Sequence, residues 1–114
     1  MADETLGDRI RGRRVELSLG LRALAGDLGV SPSYVSDIEN DRRVPSEEVL
    51  KAIGTRLGLD YDDLMALAGR FGDEADRYMR RTPAAGALFR RLSERGFSDD
   101  RVRKILRQIE VEPE

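Results

Sequence analysis

Apolar residues recur along this chain at helical spacing, and nowhere do they alternate as a half-buried strand requires. Leu6, Ile10 and Leu17 fall near one face of a helix predicted over 5–19, with Gly20 as its stop. The other face of that helix carries Arg9, Arg11, Arg13 and Arg14. Leu21, Leu24, Ala25 and Leu28 stand at i, i+3, i+4 and i+7, which predicts a second helix over 21–28, ended by Gly29. Ser31-Pro32 opens a third helix, the serine as N-cap and the proline at the position whose N–H has no partner. Val35 and Ile38 face inward there, and the helix ends near Asn40. After the loop Asp41-Arg42-Arg43-Val44, Ser46 caps a fourth helix whose stripe is Val49, Leu50, Ile53 and Leu57. Asp60 caps a fifth, with Asp63 completing a capping box and Leu64, Leu67 and Ala68 closing the unit at Gly69.

From residue 70 the pattern changes. A short helix is expected over 73–80. Thr82-Pro83 repeats the cap-then-proline signature and opens a helix to 95, with Ala85, Leu88, Phe89 and Leu92 on one face. Ser98 caps a last helix whose stripe is Val102, Ile105, Leu106 and Ile109. The fold expected is therefore all-α: a five-helix unit over 1–69, then a helical segment over 70–114.

Composition narrows the chemistry. With neither Cys nor His in 114 residues, disulfides, thiol nucleophiles and imidazole catalysis are excluded, and a zinc site would have carboxylates alone. No metal and no cofactor are expected. No basic stretch followed by an apolar run marks a signal peptide, and no apolar segment approaches the roughly 18 residues that span a bilayer. The expectation is a cytoplasmic protein with no membrane association. Charged residues make up 37%, well above the roughly 25% of ordinary domains.

Leu24-Ala25, Gly29-Val30-Ser31, Tyr34-Val35-Ser36, Ile38-Glu39-Asn40 and Arg42-Arg43-Val44-Pro45-Ser46 together resemble the Xre/Cro–cI helix-turn-helix family of phage repressors and bacterial transcription regulators. The resemblance covers about residues 5 to 69 and implies a lambda-repressor-like unit that binds double-stranded DNA. Ala25 is small where the second and third helices must cross closely, and Gly29 permits the turn between them. The outer face of the third helix is short and polar, as a major groove about 12 Å wide requires. Two positions depart from the family pattern. Gly20-Leu21 stands where Ser or Thr and then Gln usually cap the second helix and touch a phosphate. Asp41 replaces a glycine, and Asp tolerates the left-handed backbone better than most residues.

Position in the motif places Pro32, Ser33 and Asp37 against base edges, with Asp37 able to accept from cytosine N4. Arg14, Ser36, Asn40, Arg42 and Arg43 are candidates for phosphate contacts, and Tyr34 for packing on the sugar–phosphate backbone. Glu39 reads as structural, held by local hydrogen bonds or an arginine. The net charge of –2 is no obstacle if its distribution is right. Residues 1–69 hold 9 basic against 13 acidic side chains, many of the acids at helix N-termini, and residues 70–114 hold 11 against 9.

One such unit contacts few base pairs, so a homodimer on a two-fold operator is expected, formed through Leu88, Phe89, Leu92, Val102, Ile105, Leu106 and Ile109. The function expected is sequence-specific transcriptional regulation, most simply repression. The alternative is an antitoxin or interaction protein that autoregulates through the same motif and binds a protein partner through its C-terminal helices. Catalysis would need paired carboxylates in a cleft, and no acidic pair here differs from a helix cap.

Overall fold

The computed structural model describes residues 3–113, and among them it contains eight α-helices and no strand. They are α1 (Leu6–Glu16), α2 (Leu21–Leu28), α3 (Pro32–Glu39), α4 (Glu47–Leu57), α5 (Tyr61–Leu67), α6 (Asp73–Arg81), α7 (Pro83–Glu94) and α8 (Asp99–Val111). They divide between two compact units, the first running to Gly72 and the second starting at Asp73. None of the helices described is long and apolar enough to cross a membrane.

Local chemistry sets most of the helix ends. Thr5 and Asp8 form a reciprocal capping box at the start of α1. Ser31, Ser46 and Ser98 each accept a backbone N–H from the first turn of α3, α4 and α8. Gly29 and Gly58, at φ 70° and 68°, close α2 and α4 in the left-handed conformation. Three ends differ from expectation. The first helix stops at Glu16, because Ser18 adopts φ 54°; Gly20 is extended and serves as the N-cap of α2. Leu17 consequently leaves the inner face and is 41% exposed. Asp60 accepts from Asp62, and Asp63 returns no reciprocal bond, so that capping box does not form. Thr82 makes no side-chain cap, since its backbone lies at φ –127°, ψ 83°, and its carbonyl receives Ala85 N–H instead.

The core of the first unit is one cluster: Leu6 and Ile10 of α1, Leu24 and Ala25 of α2, Val35 and Ile38 of α3, Leu50, Ile53 and Leu57 of α4, and Leu64 and Met65 of α5. Leu67 and Ala68 pack on it from the edge. Ala25 is 1% exposed on the side of α2 that packs against α3, where a larger side chain would force the helices apart. The second unit is different in kind. Within it α6 packs on α7, and none of its described residues is buried.

Two residues near the start of the chain join it to the end of α3. Asp41, at φ 57°, takes the left-handed turn that its family position demands. Its carboxylate accepts from the Gly7 N–H at 3.0 Å and from the Thr5 hydroxyl at 2.7 Å. The aspartate thus satisfies orphan donors at the start of α1, which glycine could not do. Gly7 lies so close beneath this turn that an added Cβ would overlap the Glu39 carbonyl. Gly12, five residues on, has open space. Gly7→Ala is therefore expected to destabilise the protein by about 1–3 kcal/mol, and Gly12→Ala to stabilise it by roughly 1 kcal/mol. Thermal melts of the two variants should move in opposite directions.

Candidate nucleic-acid interface

The outer side of α3 carries Pro32, Ser33, Ser36 and Asp37, with Tyr34 at its edge, packed partly against the core. Ser33 is exposed and the other four are half-buried. Asn40, Arg42 and Arg43 continue this surface into the loop between α3 and α4, and all three are exposed. These side chains are tied to one another. Arg43 lies over the Tyr34 ring, 4.8 Å from its centroid. The exposed Arg42 approaches the half-buried Asp37 at 3.9 Å, and its main-chain N–H donates to the Asp37 carbonyl at 2.8 Å. The Asn40 amide donates to the Ser36 carbonyl at 2.8 Å and to its hydroxyl at 3.3 Å. Pairs this exposed stabilise weakly. Their consequence is that both loop arginines are kept beside α3.

Arg14, a candidate for the phosphate backbone, is turned inward. Its Nε donates to Glu39 Oε2 at 2.7 Å, its Nη2 to Oε1 at 2.9 Å, and its Nη1 to the Leu19 carbonyl at 3.0 Å. Its side chain is 15% exposed, and that of Glu39 2%. The hydrogen bond to Glu39 raises the guanidinium pKa above its ordinary value, while burial works against it. A raised folded pKa gives stability that is complete below the unfolded value and is lost only as pH climbs past it, beyond the neutral range. Arg14 therefore stays charged wherever the protein is studied. It holds α1 to α3, with Nε and one N–H of each terminal nitrogen spent inside the protein.

Arg11, assigned no role in the motif from the sequence, reaches the end of α3. Its Nη2 donates to Asn40 Oδ1 at 2.9 Å, and its Nε lies 3.4 Å from Glu39 Oε1. The signal was present in the i, i+3 spacing of Arg11 and Arg14, which puts both on one side of a helix. With Arg11 on its oxygen and Ser36 on its nitrogen, the Asn40 side chain is oriented before any ligand arrives. At the other side of the motif, Gly20 gives the first turn of α2 no side-chain cap, as the departure from the family pattern implied.

Leu88, Phe89, Leu92, Val102, Ile105, Leu106 and Ile109 all lie in the second unit. Leu92 and Ile105 are half-buried and the other five exposed, Leu106 at 50% and Ile109 at 60%.

A core of five helices, with a short polar helix on its surface followed by an arginine-bearing loop, defines a DNA-binding helix-turn-helix unit. Residues 5–68, more than half of the chain, match the helix-turn-helix domain family, and the chain belongs to it. It is a transcriptional regulator with a lambda-repressor-like DNA-binding domain. It is 38% identical over 84 residues to the transcriptional regulator ClgR of Mycobacterium tuberculosis, covering 74% of this chain and 75% of that one. Among solved structures it resembles the P22 c2 repressor in complex with a synthetic operator, at 34% identity and a TM-score of 0.53 over 54% of this chain and 94% of that one. It also resembles a chain of the SinR–SinI protein complex, at 26% identity and a TM-score of 0.51 over 93% of this chain and 95% of that one.

Removing either partner of the Arg14–Glu39 pair leaves a buried charge without its counterpart. Arg14→Met and Glu39→Gln are each expected to cost about 3–5 kcal/mol. Arg9→Met, which loses the exposed pair with Glu4, should cost less than about 1 kcal/mol. Urea unfolding of the three variants measures the contrast.

Proposed function

We propose that this protein is a sequence-specific regulator, most simply a repressor, that binds an inverted-repeat operator as a homodimer. Pro32, Ser33 and Asp37 read base edges in the major groove. Arg42 and Arg43 hold phosphates, with Ser36, Asn40 and Tyr34 packed along the same backbone. Arg14 contributes by holding α3 in place through Glu39. The observation that carries the reading is the continuous surface from Ser33 to Arg43, on which both loop arginines are exposed and gathered beside the recognition helix. The P22 c2 repressor, similar over the same unit, has been solved on its operator, which supports the same mode here. The role is that of a binding protein acting in the cytoplasm, not of a catalyst.

Dimerisation is assigned to the second unit. It has apolar residues on all three helices and buries none of those described, so its stripe of Leu88, Phe89, Val102, Leu106 and Ile109 needs a cover. A second copy supplies a self-complementary one. A second reading, in which another protein covers this face, is favoured by the likeness to SinR solved with SinI, because that match extends through the C-terminal helices.

Selection from random duplex DNA should enrich an inverted repeat with half-sites about 34 Å apart. The Arg42→Ala, Arg43→Ala variant should bind more weakly, with a salt slope shallower by about 0.9 for each phosphate it no longer neutralises. Enrichment of no sequence would contradict the regulator reading. Separately, Phe89→Glu with Ile109→Glu should convert a dimer to a monomer in sedimentation and lower operator affinity at least tenfold. A wild-type chain that is monomeric alone, and is ordered over 73–113 only on adding a partner, would favour the second reading.

A further inference from the structure

The loop between α3 and α4 is held at both ends. At its start, Arg42 N–H bonds Asp37, and the Asp41 carboxylate grips Thr5 and Gly7. At its end stands Pro45, fully buried, directly after the exposed Arg42, Arg43 and Val44. A proline has no N–H, so its carbonyl is the only main-chain group that can tie it down. That carbonyl accepts from Nε of Arg70 at 2.8 Å, a residue 25 positions away in sequence. Arg70 is itself secured, because its N–H donates to the Met65 carbonyl at the end of α5, and it follows Gly69 in the left-handed conformation at φ 68°. Just past the end of α5, the chain therefore reaches back to clamp the base of the loop that bears both candidate phosphate ligands.

We propose that Arg70 is a positioning residue for DNA binding. Through Pro45 it holds Arg42 and Arg43 in register with α3, without touching DNA itself. The proposal rests on the reading of those two arginines as phosphate ligands. A charge-assisted bond to a part-buried carbonyl is among the stronger single hydrogen bonds, and its loss frees the loop at one end while leaving both arginines in the chain.

The test uses the full chain and a selected operator duplex. Wild type, Arg70→Met, Arg70→Lys and the Arg42→Ala, Arg43→Ala variant are compared by binding across a salt series, at a temperature where melts show each folded. Amide exchange is followed at Arg42, whose N–H is the hydrogen-bonded one at the start of the loop. Arg70→Met should weaken binding about tenfold with an unchanged salt slope, and exchange at Arg42, whose N–H is bonded to Asp37, should quicken while α3 stays protected. Arg70→Lys, which keeps the charge and a donor on a shorter reach, should fall between Met and wild type. A salt slope lowered by about 0.9 in Arg70→Met would make Arg70 a phosphate ligand in its own right and overturn the proposal. Wild-type affinity in Arg70→Met would overturn it as well. If the double arginine variant keeps the wild-type slope, the reading of the loop fails first and the positioning role falls with it.

Discussion

A buried carboxylate on the inner side of the recognition helix organises the first unit. Glu39 has its side chain 2% exposed, and a charge so placed costs several kcal/mol unless it is paired with good geometry. Arg14 meets it with two of its nitrogens, Arg11 adds a third contact, and Arg14 is in turn held by the Leu19 carbonyl. These bonds run from α1 to the last residue of α3, so they set the rotation of α3 as well as its distance. An apolar contact tolerates sliding; a forked guanidinium–carboxylate pair does not. Rotation of α3 decides which side chains face outward. The pair that stabilises the fold thereby also determines which residues are offered to a groove.

The same pairing of charges explains how an acidic unit can approach a polyanion. Several of its acids are engaged by partners within the protein. Glu39 is neutralised inside, Asp41 caps α1, Glu4 meets Arg9, Asp27 meets Arg56, and Asp8 and Asp60 cap helices. Asp37 lies on the outer face of α3, and Arg42 stands near it. Net charge sums over the whole molecule, whereas a phosphate within a Debye length of about 8 Å responds to local charge. On the face formed by α3 and its following loop, Arg42 and Arg43 are the exposed cations, and the two acids beside them, Asp37 and Asp41, are each partnered within the protein.

What could be read from the sequence was mostly what is local. Serine caps at 31, 46 and 98, the glycines at 29 and 58, and the i, i+3, i+4 stripes each involve residues a turn or two apart, and they placed the helices. Thr82-Pro83 shows the limit: it carries the same signature as Ser31-Pro32, but its backbone dihedrals leave the hydroxyl unable to cap. The inward turn of Arg14 was not legible, because four arginines share α1, and which of them reaches Glu39 depends on where that helix stops. It stops at Glu16, through the left-handed Ser18, a residue with no strong preference for that conformation. The reach of Asp41 to Thr5 and of Arg70 to Pro45 joins residues dozens of positions apart, and no local pattern announces either. In the second unit the apolar stripes were plain, whereas nothing in a stripe names the surface that covers it.

The account stands on α3 and its following loop being the surface that meets DNA. The most direct measurement is a titration of 15N-labelled protein with a selected operator duplex, followed by amide chemical shifts. The largest changes should fall at Ser31 to Asp37 and at Asn40 to Val44, with the amides of α7 and α8 left nearly unmoved. Changes concentrated on α4 and α5, or on α7 and α8, would contradict it.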